Sequence, residues 1–156
     1  MIIDTIAEQL ATGNSILLLG SGSKRRLLQA VAVAVPESLY FDELQPPKIQ
    51  LIRIAKKLHK LDGLKEYDLY PEWDDVAYQI KRMDEEEIMD VVLPSLEGRI
   101  LIFDNVEAAT SRSIRKLLLS LLDAGIVMLI AGNDGHMGQK RRMGMIQAEG
   151  IMEIRT

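Results

Sequence analysis

Short runs of continuous apolar residues alternate along the chain with longer segments whose apolar residues recur every three or four positions. The first pattern is typical of buried strands and the second of helices. The predicted strands are residues 15–19, 38–42, 99–103, 126–131 and 150–155. The predicted helices are residues 2–12, 24–35, 47–61, 74–81, 84–93 and 110–124. This alternation predicts a three-layer α/β fold, in which helices cover both faces of a mostly parallel five-stranded sheet.

Residues with special backbone properties mark several of the predicted helix ends. Pro47 suits the first turn of a helix, because the N–H that it lacks has no partner there. Asp74 or Asp75 is predicted to cap the helix that follows. Pro94 and Gly98 are predicted to close the helix that begins near residue 84.

The length of 156 residues predicts one domain, residues 1–156, with a core of ordinary size. Cysteine is absent, which excludes disulfides and fits a cytoplasmic location. The first residues lack the basic and apolar regions of a signal peptide. No apolar run approaches the roughly 20 residues that span a bilayer, so we expect no membrane partner.

Charge is distributed unevenly, although the net charge is only −4. Residues 47–60 contain five basic residues and no acid, whereas residues 62–97 contain twelve acids and three bases. A basic helix face of this kind can contact nucleic-acid phosphates. The predicted contacts are Arg53, Lys56, Lys57 and Lys60. Two alternatives stay open: an ordinary solvated helix face, which is the commoner case, and docking onto the acidic residues 84–90 of a neighbouring subunit.

A turn rich in glycine and serine follows the first predicted strand and leads into a helix with a lysine at its start. In phosphate-binding loops, backbone N–H groups and a helix N-terminus converge on an anion. The predicted phosphate-binding residues are Gly20, Ser21, Gly22, Ser23, Lys24 and Arg25. The spacing departs from G-x-x-x-x-G-K-[ST], because three residues separate Gly20 from Lys24 and Arg25 replaces the hydroxyl that holds Mg²⁺. A purely structural turn is the alternative.

Two further predicted strands end in polar residues that suit a nucleotide site. Asp104 follows an apolar strand, and an acid at this edge of a parallel sheet can hold Mg²⁺. Asn105 comes next, and its amide cannot accept the proton of an attacking water. Glu107 is the nearest substitute for that base, and Asn133 ends another strand where an amide can face a γ-phosphate. The alternative is that these residues only cap a helix or a turn.

Taken in order, these stretches resemble the core of an AAA+ ATPase over residues 15–155. The resembling parts are residues 16–20 with 24–32 (the Walker A strand and helix), 100–107 (Walker B) and 117–123 with 128–133 (the helix and strand of sensor 1). Residues 50–58 are similar to a segment of archaeal initiator ATPases and of transposition ATPases of the TniB and MuB kind. The resemblance implies a P-loop NTPase-like fold, here without a C-terminal lid.

The resemblance also implies ATP or ADP as the ligand, Mg²⁺ as its metal and an oligomer of like or unlike subunits, with DNA as a possible partner. The site residues that it implies are Asp104, Asn105, Asn133, Arg141 and Arg142, the last two in the place of an arginine finger. Because the phosphate loop is short and both the metal hydroxyl and the base are missing, we expect a non-hydrolysing or weakly active module used for assembly or for partner and DNA recognition. The alternative is a slow Mg²⁺-dependent ATPase that acts in replication, transposition or a clamp-loader-like process.

Overall fold

The computed structural model of the chain describes residues 2–20, 22–105, 112–132 and 151–156. Its helices are α1 (Ile2–Ala11), α2 (Arg25–Ala34), α3 (Pro47–Leu61), α4 (Trp73–Ile80), α5 (Glu85–Leu96) and α6 (Arg112–Asp123). Its strands are β1 (Ile16–Leu19), β2 (Ser38–Phe41), β3 (Ile100–Phe103), β4 (Val127–Gly132) and β5 (Met152–Arg155), and a short 3₁₀ turn covers Lys65–Tyr67. Every strand and helix that the apolar pattern predicts is present.

The five strands form one parallel sheet in the order β2-β3-β4-β1-β5. This confirms the predicted α/β class and the parallel five-stranded sheet. The connection from β1 runs toward β2 at one edge, whereas the connection from β3 to β4 runs in the opposite direction. Because such crossovers are right-handed, α2 and α6 lie on opposite faces of the sheet. The result is the predicted arrangement of three layers.

The two faces of the sheet bury different residues of the same strands, because successive side chains of a strand point to opposite sides. Ile16 and Leu18 of β1 belong to a cluster that also contains Ile6 and Leu10 of α1 and Leu28 of α2. On the other face, the rings of Phe41 and Phe103 stack with their centroids 5.4 Å apart. All four residues of β1 and all four of β3 are buried, as expected for central strands covered on both sides.

The described residues divide into two compact units. The first, which we call the sheet unit, comprises Met1–Leu44 and Arg99–Thr156, and the second, the helical unit, comprises Gln45–Gly98. In the helical unit, α3 packs against α4 and α5. The prediction that residues 1–156 form a single domain stays a prediction.

Two predicted helix ends in the helical unit are wrong. The helix α4 begins at Trp73, so Asp74 and Asp75 lie in its first turn, and its N-cap has no side-chain hydrogen bond. Pro94 lies inside α5, which continues to Leu96. A proline near the end of a helix removes only one backbone hydrogen bond, and the burial of Leu96 keeps the last turn packed.

Acidic residues begin α5 in a favourable arrangement. Asp84 accepts a hydrogen bond from the N–H of Glu87 at 2.9 Å, and the Glu87 carboxylate accepts one from the N–H of Asp84 at 3.1 Å. This reciprocal capping box satisfies N–H groups that have no partner inside the helix. Among the described residues, no helix is long and apolar enough to cross a membrane.

Candidate functional site

A pocket of about 170 Å³ opens where the carboxyl ends of β1, β3 and β4 meet. The connections from the adjacent strands β1 and β4 lead to opposite edges of the sheet, and ligands of α/β proteins bind at such a switch point. The pocket is lined by Gly22, Ser23, Lys24, Asp104, Asn105, Ala131 and Gly132. The structure therefore brings together the predicted phosphate loop and the predicted acidic strand end.

The loop after β1 depends on glycine at two positions. Gly20 has a φ of 150° and Gly22 a φ of 84°, both in the range that favours glycine. At Gly20, a Cβ atom would collide with the Oγ1 atom of Thr156 and lie 2.9 Å from its carbonyl oxygen. Thr156 is held at this place because its N–H donates to the carbonyl oxygen of Leu19 at 2.9 Å. The end of β5 thus packs directly against the start of the loop.

Lys24 turns its side chain back into the loop. Only 7% of the residue is exposed, and its Nζ atom donates to the carbonyl oxygens of Gly20 at 2.7 Å and Gly22 at 3.2 Å. These bonds compensate the buried charge and fix the loop. Because an ammonium group has three donors, these bonds to the described residues leave a third donor that can serve a ligand in the pocket.

Asp104 is 5% exposed and both of its carboxylate oxygens accept hydrogen bonds. Its Oδ1 atom accepts from the N–H of Asn105 at 2.8 Å, and its Oδ2 atom accepts from the hydroxyl of Tyr40 at 3.4 Å. Its own N–H donates to the carbonyl oxygen of Phe41 at 3.0 Å, which continues the pairing of β2 with β3. The carboxylate is therefore held by groups of its own chain on two sides.

Asn105 has a positive φ of 51°. No other non-glycine residue in the described part of the chain has a positive φ. Asparagine tolerates this left-handed conformation better than most residues. Its Nδ2 atom donates to the carbonyl oxygen of Asp42 at 2.9 Å. The amide thus links the ends of β2 and β3.

Tyr40 is the residue of this site that the sequence reasoning missed. It pairs with Ile102 across the sheet, and this register carries its ring to Asp104, two residues further along β3. Burial raises the pKa of the Tyr40 hydroxyl above its ordinary value, and the Asp104 carboxylate raises it further. The nearby Arg25 guanidinium acts against this rise and lowers the same pKa. A polar aromatic residue near the end of an otherwise apolar strand was the only available signal.

The pocket contains one of the two protein groups that hold Mg²⁺ in phosphate-loop sites. Asp104, an acid at the end of a strand, lines the pocket. The second group, a hydroxyl directly after the lysine, is missing, because Arg25 follows Lys24. Within residues 2–20, 22–105, 112–132 and 151–156, no three acidic or histidine side chains are grouped to hold a metal ion.

Five of the residues with a predicted role lie outside the described residues. They are Ser21, Glu107, Asn133, Arg141 and Arg142. Their predicted roles in phosphate binding, as base, as sensor and as arginine finger stay predictions.

The basic face of α3 is not uniformly open. Lys56 and Lys60 are exposed, whereas Arg53 and Lys57 are half-buried. Another basic residue of the helix, Lys48, donates from Nζ to the carbonyl oxygen of Lys81 at 3.0 Å, and this carbonyl lies just after the last residue of α4. Packing of the helical unit therefore leaves two of the four predicted nucleic-acid contacts exposed.

Comparison with known proteins gives a likeness of fold. No protein-family model matches the chain, and no curated protein matches it. Two similar solved structures are of Drosophila ORC with Cdc6, one bound to AT-rich and one to GC-rich DNA, with TM-scores of 0.60 and 0.57 and 18% identity in both cases. The matches cover 99% and 98% of this chain but 55% and 56% of the others, so this chain spans about half of their length. At this identity the likeness shows a shared fold and nothing further.

Proposed function

We propose that this chain is a P-loop NTPase-like module that binds the phosphate groups of a nucleotide at the ends of β1, β3 and β4 and does not hydrolyse them efficiently. The bound nucleotide then serves assembly or the recognition of a partner. In this proposal the module is a degenerate relative of the AAA+ initiator or transposition ATPases.

The hydrogen bonding of Asp104 and Asn105 carries the proposal. Hydrolysis requires a group that positions the attacking water, and ATPases of this type also require a metal ion at the phosphates. The Asn105 amide is committed to the carbonyl oxygen of Asp42, and the Asp104 carboxylate accepts from Asn105 and Tyr40. The Asn105 amide therefore offers no base to the pocket, and the two oxygens of the Asp104 carboxylate are already hydrogen-bonded to groups of the chain.

Lys24 supports the proposal of phosphate binding. Within the described part of the chain its ammonium uses two of its three donors, and it lines the same pocket as Gly22 and Ser23. A volume of about 170 Å³ accommodates phosphate groups but is below the roughly 300–1,000 Å³ of sites that enclose a whole small molecule. In this proposal the base and sugar of the nucleotide therefore lie outside the pocket.

DNA is the partner that we propose for this module. The similar structures contain ORC bound to DNA, and this chain offers the exposed Lys56 and Lys60 on one face of α3. These two residues are four positions apart, about one helical turn, so both can face the same phosphate backbone.

Thermal unfolding in the presence of nucleotide tests the proposal, because a ligand that prefers the folded state raises its stability. We expect ADP and ATP each to raise the melting temperature of the chain and to lose this effect in Lys24→Ala. We expect phosphate release from ATP at the background rate, the same in the chain and in Asp104→Ala. If no nucleotide changes the melting temperature, nucleotide binding is contradicted. The remaining role is then assembly without a bound ligand.

A slow Mg²⁺-dependent ATPase is the second candidate, because Lys24 and Asp104 line the same pocket. In that case Lys24 contacts the phosphates and Asp104 holds the metal. Repeated turnover of ATP that requires Mg²⁺ and disappears in Asp104→Ala would establish this function in place of the first.

A further inference from the structure

Ser23 brings a hydroxyl to the pocket from an unusual position in the loop. In phosphate loops the hydroxyl that holds Mg²⁺ directly follows the lysine. That position is Arg25 in this chain, and it is not one of the described residues that line the pocket. Ser23 directly precedes Lys24 and lines the pocket together with Asp104. A hydroxyl and a carboxylate therefore face the same space, although the order of hydroxyl and lysine is reversed.

The Ser23 hydroxyl has capacity to bind a cation. The residue is exposed, and its Oγ atom accepts a hydrogen bond from the N–H of Arg25 at 3.4 Å. This distance is long for a bond between N–H and oxygen, so the bond is weak. A hydroxyl oxygen has two lone pairs, and this contact leaves the second one for a ligand.

The Asp104 carboxylate is oriented by its hydrogen bonds and keeps acceptor sites. Its Oδ1 atom accepts from the N–H of Asn105 at 2.8 Å and its Oδ2 atom from the Tyr40 hydroxyl at 3.4 Å. An ionised carboxylate has roughly four lone-pair sites, so each oxygen can accept one bond and still contact a cation. Carboxylates that bind metals are commonly held by such bonds to other groups of the protein.

These two side chains fit the needs of Mg²⁺ at a nucleotide. Magnesium prefers oxygen ligands, and at nucleotides it usually takes few of them from the protein and the rest from phosphates and waters. The described residues contain no group of three acids or histidines that could hold a metal ion alone. Lys24 lines the same pocket and repels a bare cation, so we expect the cation to enter only together with phosphates.

We propose that Ser23 and Asp104 together hold Mg²⁺ on the phosphates of a bound nucleotide, with Ser23 taking the role of the hydroxyl that is missing after Lys24. The inference rests on the proposed function, because it adds a metal ion to the same nucleotide site. It does not restore hydrolysis, since the Asn105 amide still accepts no proton from water. The cation strengthens nucleotide binding and leaves the nucleotide intact.

Isothermal titration with ADP, in EDTA and in Mg²⁺, tests the inference. Changes at a metal site usually weaken metal binding by about 10–100-fold, so we expect Mg²⁺ to tighten ADP binding by about tenfold or more in the unchanged protein and by less than about threefold in Ser23→Ala. In EDTA, Ser23→Ala should bind ADP as the unchanged protein does. Ser23→Thr keeps the hydroxyl and should retain the effect of Mg²⁺, whereas Asp104→Asn should lose it.

Water-proton relaxation with Mn²⁺ gives a second readout that needs no turnover. Mn²⁺ takes the same oxygen ligands as Mg²⁺, and it relaxes water protons more strongly when it is bound to a protein. We expect binding of Mn²⁺ in the presence of ADP and none in its absence. With ADP, the affinity for Mn²⁺ should be about tenfold lower or more in Ser23→Ala, and unchanged in Ser23→Thr.

Four results would overturn the inference. Equal dissociation constants of ADP in EDTA and in Mg²⁺ refute the metal site and leave nucleotide binding standing. An effect of Mg²⁺ that persists in Ser23→Ala refutes the role of Ser23. A loss in Ser23→Ala that is as large in EDTA as in Mg²⁺ shows that the hydroxyl contacts the phosphates and not a cation. The absence of ADP binding in both buffers refutes the inference and the proposed function together.

Discussion

Replacing Gly20 by alanine tests the close contact between the phosphate loop and the end of β5. The added Cβ atom would collide with the Oγ1 atom of Thr156 and lie 2.9 Å from its carbonyl oxygen. The φ of 150° is also one that side chains rarely adopt. The substitution therefore combines two unfavourable effects, backbone strain and steric overlap.

The two effects have separate magnitudes. An unfavourable backbone conformation costs about 1–3 kcal/mol, and overpacking costs about the same. We expect Gly20→Ala to lower the free energy of unfolding by about 2–6 kcal/mol, a large part of the roughly 5–15 kcal/mol of a typical domain. Gly125→Ala is the matched control in the sheet unit, since its φ is 82° and a Cβ atom there meets no atom within 4 Å. This control should lose about 1–2 kcal/mol, from strain alone.

Urea unfolding followed by far-ultraviolet circular dichroism measures the difference between the two variants. Thr156→Ala removes the Oγ1 atom, so the double variant Gly20→Ala with Thr156→Ala should be more stable than the sum of the single changes predicts, by about 0.5–3 kcal/mol. Equal losses in Gly20→Ala and Gly125→Ala, with additive effects in the double variant, would refute the contact between Thr156 and the loop.

Two other predictions concern the helical unit. Asp84→Ala removes the hydrogen bond that the Asp84 carboxylate accepts from the N–H of Glu87, and keeps the backbone N–H that donates to Glu87. It should lower the free energy of unfolding by about 0.5–2 kcal/mol in the same urea assay. The control is Glu86→Ala, an exposed acid in the same first turn, and an equal loss there would count against the capping role of Asp84. The double change Lys56→Glu with Lys60→Glu should weaken binding to a DNA duplex and reduce the slope of log affinity against log salt by about 1.8. The control is the double change Arg112→Glu with Lys116→Glu, which alters the charge by the same amount at exposed positions of α6. An equal loss of DNA affinity in the two double variants would show that the basic face of α3 is not the contact.

The sequence determined the sheet and the general place of the site. The apolar runs of β1 and β3 are continuous because both faces of these strands are covered, and that pattern is visible without coordinates. The presence of Lys24 and Asp104 in the same pocket followed from one rule, that the carboxyl ends of parallel strands lie at the same edge of the sheet. The bounds of α3, Pro47–Leu61, were also predictable, because proline and glycine mark its two ends.

The tertiary structure alone decided how the site residues are used. Tyr40 and Asp104 are 64 residues apart, and Asn105 and Asp42 are 63 apart, so their hydrogen bonds depend on the register between β2 and β3. Local patterns do not encode a register that the neighbouring strand sets. Exposure of the basic residues depends in the same way on α4 and α5, which pack against α3 and leave Lys56 and Lys60 open. Local physics therefore fixed which elements form, and contacts between distant residues fixed which polar groups remain free for a ligand.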